Sequence, residues 1–141
     1  MINELTRTKA ADVFVRAVAK TATASYAGII DGLDSGIPKD PFEHLSRWYH
    51  ALLDDDKRYV REIVHVMMDQ SVFDLLCLLD GVAGHERIDE KPVHFALRFE
   101  MYGDMDKLMA DDPEVSIRLN PALEPDHLHD MFGEVMELLD K

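Results

Sequence analysis

The sequence predicts a single α+β domain over residues 1–141: a four-helix N-terminal part, an antiparallel two-stranded β-ribbon and a closing C-terminal helix, with an all-α bundle as the alternative. Three observations carry this reading. Apolar residues recur at helical spacing as far as residue 80; the period drops to two in VHFALRFEMY and EVSIRLN; the helical period then returns in LHDMFGEVMELLD. At 141 residues the chain is the usual size of one domain, and folding buries roughly two thirds of the surface of an unfolded chain of this length.

The first helix is expected from about Asn3 or Thr6 to Ile30, closed by Gly32, with DGLDSGIPKD as the following loop. Asp40, Pro41 and Glu43 form a helix start, with a side-chain cap, a proline at the first helical position and a reciprocal acid. Phe42, Leu45, Trp48, Tyr49, Leu52 and Leu53 give that second helix its apolar face. Asp54, Asp55 and Asp56 suit the positive end of the next helix dipole, with Asp55 or Asp56 as the cap. In the third helix Val60, Ile63, Val64 and Met67 are expected to face the core. Ser71 and Asp74 mark a break before VFDLLCLL, a fourth, deeply buried helix that ends at Asp80 and Gly81. Asp74 inside that apolar run must reach an edge, find a partner or have a raised pKa.

Alternation in VHFALRFEMY sends Val93, Phe95, Leu97, Phe99 and Met101 to one face, and EVSIRLN repeats the pattern with Val115, Ile117 and Leu119. The two strands pair antiparallel across the acidic connection GDMDKLMADDP. Such a ribbon is not stable alone in water, so it is expected to share a core with Val64, Met67, Leu76 and the last helix, through Leu128, Phe132 and Val135. Asp126 caps that last helix, whose apolar stripe is Leu128, Met131, Phe132, Val135, Leu138 and Leu139.

Fifteen basic against 28 acidic residues give a net charge of −13, and the imbalance is concentrated toward the C-terminus, where residues 100 to 140 hold twelve acids and two bases. Net charge of this size serves solubility; concentrated in one stretch, it also repels nucleic acid and anionic lipid and attracts a basic protein. No run approaches the ~18 apolar residues of a membrane helix, and the N-terminal stretch lacks an apolar signal core, so a cytoplasmic protein is expected. The single cysteine, Cys77, lies in an apolar run, which leaves no internal disulfide and reads as a small buried hydrophobe.

Three constellations resemble metal sites. Glu62, His65 and Asp69 give Glu-x-x-His with an acid one turn on, but carboxylate-bridged di-iron bundles use that motif twice, and here Arg58 and Arg61 share the same face. Asp104 and Asp106 imitate a calcium loop whose sixth position is Met109 instead of glycine and whose twelfth is Val115 instead of glutamate. His127 and His129, both placed within the first helical turn, diverge by about 200° and are not expected to share an ion. No phosphate-binding loop, nucleophile elbow or basic aromatic surface is present, so no catalytic residue and no cofactor is assigned.

SVFDLLCLLDG and LHDMF give the chain a resemblance to small acidic bacterial proteins, some similar to immunity proteins of bacterial toxin systems. The resemblance implies a cytoplasmic protein that binds and blocks one toxin domain. The leading expectation is a non-enzymatic, acidic binding domain that meets a basic protein through Glu100, Asp104, Asp106, Asp111, Asp112 and Glu114. The alternative is a metal-assisted enzyme built on Glu62, His65 and Asp69.

Overall fold

The computed structural model describes residues 6–36, 42–82, 87–88, 91–92, 94–121 and 127–139. Helices α1 (Arg7–Ser35), α2 (Phe42–His50) and α3 (Asp54–Asp80) precede a short hairpin of β1 (Arg87–Ile88) and β2 (Lys91–Pro92). Strand β3 (Arg98–Met101), helix α4 (Met105–Met109), strand β4 (Val115–Arg118) and helix α5 (Leu128–Leu139) follow. The class is α+β, with an antiparallel β3–β4 ribbon and a closing helix. No helix among the described residues is long and apolar enough to cross a membrane.

Helices α1 and α3 differ from expectation, each for a local reason. Helix α1 runs past Gly32 and stops at Gly36, whose φ of +69° is the left-handed conformation that closes a helix at low cost. Gly32 stays helical because Ile30 and Leu33 on either side are buried, and that packing outweighs the ~1 kcal/mol that an interior glycine costs. The break expected at Ser71 and Asp74 is absent, so among the described residues three helices, not four, precede the first strand. The Ser71 hydroxyl donates to the Met67 carbonyl one turn back, which satisfies the serine inside an unbroken helix. Asp74 reaches the surface, and Gly81, with φ +77°, ends α3 where the sequence places the stop. The expected caps Asp40 and Asp126 and the helix-starting Pro41 lie outside the described residues.

The chain divides into two compact units, Lys20–Val72 and the remainder, Met1–Ala19 with Phe73–Lys141. In the first, Ile30, Leu33 and Tyr49 form a buried cluster, with Tyr26, Ile29, Leu52 and Val60 packed on it. Tyr49 is fully buried because its hydroxyl finds a partner: Arg61 Nε donates to it at 2.8 Å, while the other end of the guanidinium pairs with Asp34 at 3.0 Å. Ser46 fills the same helix face, its hydroxyl donating to the Leu33 carbonyl at 2.7 Å, whereas Leu45, Trp48 and Leu53 of the expected apolar face are exposed. Helix α3 is rotated from its expected setting. Val64, His65, Met68 and Asp69 are partly buried, while Ile63 and Met67 are 62% and 60% exposed.

The second unit buries Ala10, Ala11, Val15, Ala19, Leu76, Leu119, Leu128, Phe132, Val135 and Met136. In the ribbon, Phe99 opposes Ile117 and Met101 opposes Val115; β4 alternates as predicted, whereas on β3 Phe99 is partly buried but Met101, expected to face inward, is exposed. Pairing starts only at Arg98. Residues 94–97 are extended outside the ladder and Phe95 is 46% exposed, against its expected place in the core. What holds this segment is Asn120, 2% exposed. Its side-chain oxygen accepts from Leu97 N at 2.8 Å, its amide donates to the carbonyls of Phe95 and Leu79, and its own carbonyl meets His94 Nε2 at 3.1 Å. Arg7 adds a bond from α1, Nε donating to the Leu119 carbonyl. Val64 and Met67, expected in this core, belong to the other unit.

Candidate functional site

Two places concentrate chemistry. At the first, α3 ends on Asp80, a buried carboxylate, and α5 begins at Leu128. Asp80 Oδ2 accepts the backbone N–H of His129 at 3.0 Å and lies 2.8 Å from His129 Nδ1. The carboxylate thus satisfies an unpaired amide in the first turn of α5 and complements the positive end of its dipole. The Phe73 ring meets His129 edge-on, 5.4 Å between centroids. Asp130, exposed, reaches His129 Nε2 at 3.4 Å.

Helix α5 starts one residue after His127, not before it, so His127 keeps non-helical backbone and the expected divergence does not occur. Its ring stacks on His129 with centroids 5.3 Å apart and 22° between planes. One ligand atom from each of Asp80, His127 and His129 lies within 4.8 Å of the other two, and among the described residues this is the one group of three able to surround an ion. Cys77 is adjacent in charge terms. Burial first, then the carboxylates of Asp74, Asp80 and Asp130, push its thiol pKa up, so it stays a thiol at neutral pH and is not an activated nucleophile.

Glu62, His65 and Asp69 do not converge in this way. His65 Nδ1 pairs with Asp69 at 3.3 Å beneath the edge of Tyr26, and Glu62 points to solvent. Among the described residues, a hollow of about 260 Å³ is lined by Asp54, Lys57, Arg58 and Arg61, and another of about 410 Å³ mainly by Ile29, Ile63, Val64, Met67 and Met68. Neither is lined by the Glu-x-x-His residues.

The second place is the β3–α4–β4 segment. Glu100, Asp104, Asp106, Asp111, Asp112 and Glu114 are all exposed. The acidic connection contains the short helix α4. Asp104 caps α4, its side chain accepting from Lys107 N at 2.9 Å, and Lys107 Nζ pairs with Asp112. Asp111 takes φ +53°, a left-handed setting that aspartate tolerates, and the chain returns as Glu114 N donates to the Met101 carbonyl at 2.8 Å. The Tyr102 hydroxyl is shared between Glu100 at 2.8 Å and Asp111 at 3.2 Å. These bonds, the Glu100 one foremost, push its pKa up to about 12, since ionisation would set a phenolate against two carboxylates.

Sequence reasoning missed the apolar half of this surface. Met105, Leu108 and Met109 are 68%, 45% and 82% exposed on α4, and Met101 is 37% exposed on β3. Their spacing in DMDKLMADD was the available signal, hidden by the density of acids around them. No protein family, curated protein or solved structure matches the chain, so the site stands on its own geometry.

Proposed function

We propose that this chain is a non-enzymatic, acidic protein-binding domain that blocks a basic partner, in the manner of a cytoplasmic immunity or inhibitor protein, and that β3–α4–β4 is its contact surface. One observation supports the reading above the others: four exposed apolar side chains, three of them methionines, lie among six exposed carboxylates on one ordered segment. Monomer surfaces have little reason to expose methionine at this density, whereas binding surfaces use its adaptable side chain as an apolar anchor. A charged rim adds to on-rate and selectivity more than to final affinity. The capped helix and the Lys107–Asp112 and Tyr102–Glu100 bonds hold the segment in shape before binding, which lowers the cost of ordering it.

The test is a crosslinking photoprobe at Met109, identification of the captured protein, and association kinetics of the purified pair. A basic partner whose on-rate falls as salt shortens the ~10 Å Debye length of 0.1 M solution is the expected result. Reversal of Asp104, Asp106, Asp111, Asp112 and Glu114 to lysine should slow association about tenfold or more, and Met105→Ala with Met109→Ala should speed dissociation. A partner indifferent to both sets of changes would remove β3–α4–β4 as the contact surface.

A further inference from the structure

We infer that Asp80, His127 and His129 form a binding site for one divalent first-row transition ion, zinc foremost. The donor set selects the metal class. Two imidazole nitrogens and one carboxylate oxygen suit zinc and its neighbours, whereas calcium and magnesium take oxygen ligands. With bonds of about 2.0–2.1 Å, two donors of a tetrahedral ion stand ~3.3 Å apart. The present 2.8 Å between Asp80 Oδ2 and His129 Nδ1 is close to that edge, and all three ligand atoms already lie within 4.8 Å of one another. An ion therefore requires a parting of the Asp80–His129 pair by about half an ångström and a turn of the stacked His127 ring.

The surroundings favour a cation. Asp80 places its carboxylate, with 1% of the side chain exposed, beside a histidine side chain that is 13% exposed. A negative group held so far from water gains from a divalent partner more than a surface carboxylate does. Asp74 and Asp130 add to the negative potential felt at Cys77 beside the cluster. The ligands are also braced: the His129 amide donates to Asp80, and Phe73 packs edge-on against the His129 ring. Such bracing orients first ligands in built metal sites. On binding, Nδ1 of His129 must present its lone pair, so the proton it shares with Asp80 moves to Nε2 or leaves to solvent. Three protein ligands leave the fourth tetrahedral position to a water.

The site is independent of the proposed partner surface and is tested on the full, untagged chain without any partner. After chelator treatment, Zn²⁺ is titrated in competition with a chromophoric chelator, and Co²⁺ is added to a second sample for its visible spectrum. One ion per chain is expected, with the intense tetrahedral Co²⁺ band. His127→Ala, which leaves the Asp80–His129 pair in place, should weaken binding by about tenfold or more. Asp80→Asn, which keeps an oxygen to accept the His129 amide, should weaken it likewise, while the exposed His50→Ala should not. Circular dichroism confirms that each variant is folded. Absence of stoichiometric Zn²⁺ binding at ~100 µM, or binding that survives His127→Ala or is lost in His50→Ala, overturns the assignment.

Discussion

Asn120 anchors residues 94–97 through one side chain, and Asn120→Asp isolates the reason. The two residues have nearly the same shape, but asparagine offers an acceptor and two donors together, and the ionised aspartate offers acceptors alone. Leu97 N would keep its partner. The Phe95 and Leu79 carbonyls would lose theirs and face a carboxylate at the position of the amide nitrogen, now 2.7 Å and 2.5 Å away. Two lost hydrogen bonds at about 1 kcal/mol each, with about 1–3 kcal/mol for repulsion and desolvation of a charge at a position 2% exposed, give a loss of roughly 3–5 kcal/mol. Urea unfolding measures it, and hydrogen exchange at Leu97 shows whether the segment stays anchored. The deficit should shrink at acid pH, where a neutral carboxyl recovers one donor. A loss under about 1 kcal/mol at neutral pH, with no such pH dependence, would show that water replaces the amide and that the argument from satisfied backbone groups is wrong.

Phe132→Ala removes a ring that is 2% exposed and should cost about 3–5 kcal/mol in urea unfolding, whereas Asp130→Ala on the exposed face of α5 should cost little; equal small losses would mean that α5 is not docked. Absorbance titration of wild type minus Tyr102→Phe should show a phenol that ionises near pH 12 instead of 10. Because the folded-state pKa is the raised one, the Tyr102 contribution to stability is complete below pH 10 and is lost as pH rises through 12, and a difference spectrum centred at 10 would contradict the shared hydroxyl. Gly36→Ala forces a Cβ into φ +69° and should destabilise by about 1–2 kcal/mol, measured by thermal unfolding, although the site is exposed; a neutral result would show that α1 ends by another route.

Periodicity made the elements legible. The inward alternation of Phe99, Ile117 and Leu119 and the burial of Leu128, Phe132 and Val135 follow from spacing alone, because a period of two or of 3.6 leaves one face for the core. What spacing could not decide was which of two apolar-containing faces of α3 packs inward. His65 and Asp69 satisfy each other and so tolerate partial burial, which leaves Ile63 and Met67 outside. The histidine pair turned on a single residue: a helix that begins at Leu128 instead of Asp126 or His127 changes two diverging rings into two stacked ones. The partner that completes the cluster, Asp80, lies 49 residues earlier than His129 and carries no local signal of that role. The β1–β2 hairpin and helix α4 are too short for a periodic signature.

The division of the chain has a consequence for synthesis. Lys20–Val72 is one uninterrupted stretch, whereas the other unit joins Met1–Ala19 to residues that begin at Phe73. Arg7 meets Leu119 only after 112 further residues have been made, and the α5 turn that Asp80 receives is later still. At a translation rate of about 5–20 residues per second, roughly 3–13 s pass between the addition of Val72 and that of Leu139. During that interval the inner unit can mature on the ribosome while Ala10, Ala11 and Val15, buried in the finished protein, wait uncovered. A nascent chain stalled after Val72 would therefore hold helix α1 open to chaperones, and a codon change that slows translation of residues 73–139 would lengthen that exposure without altering a single residue.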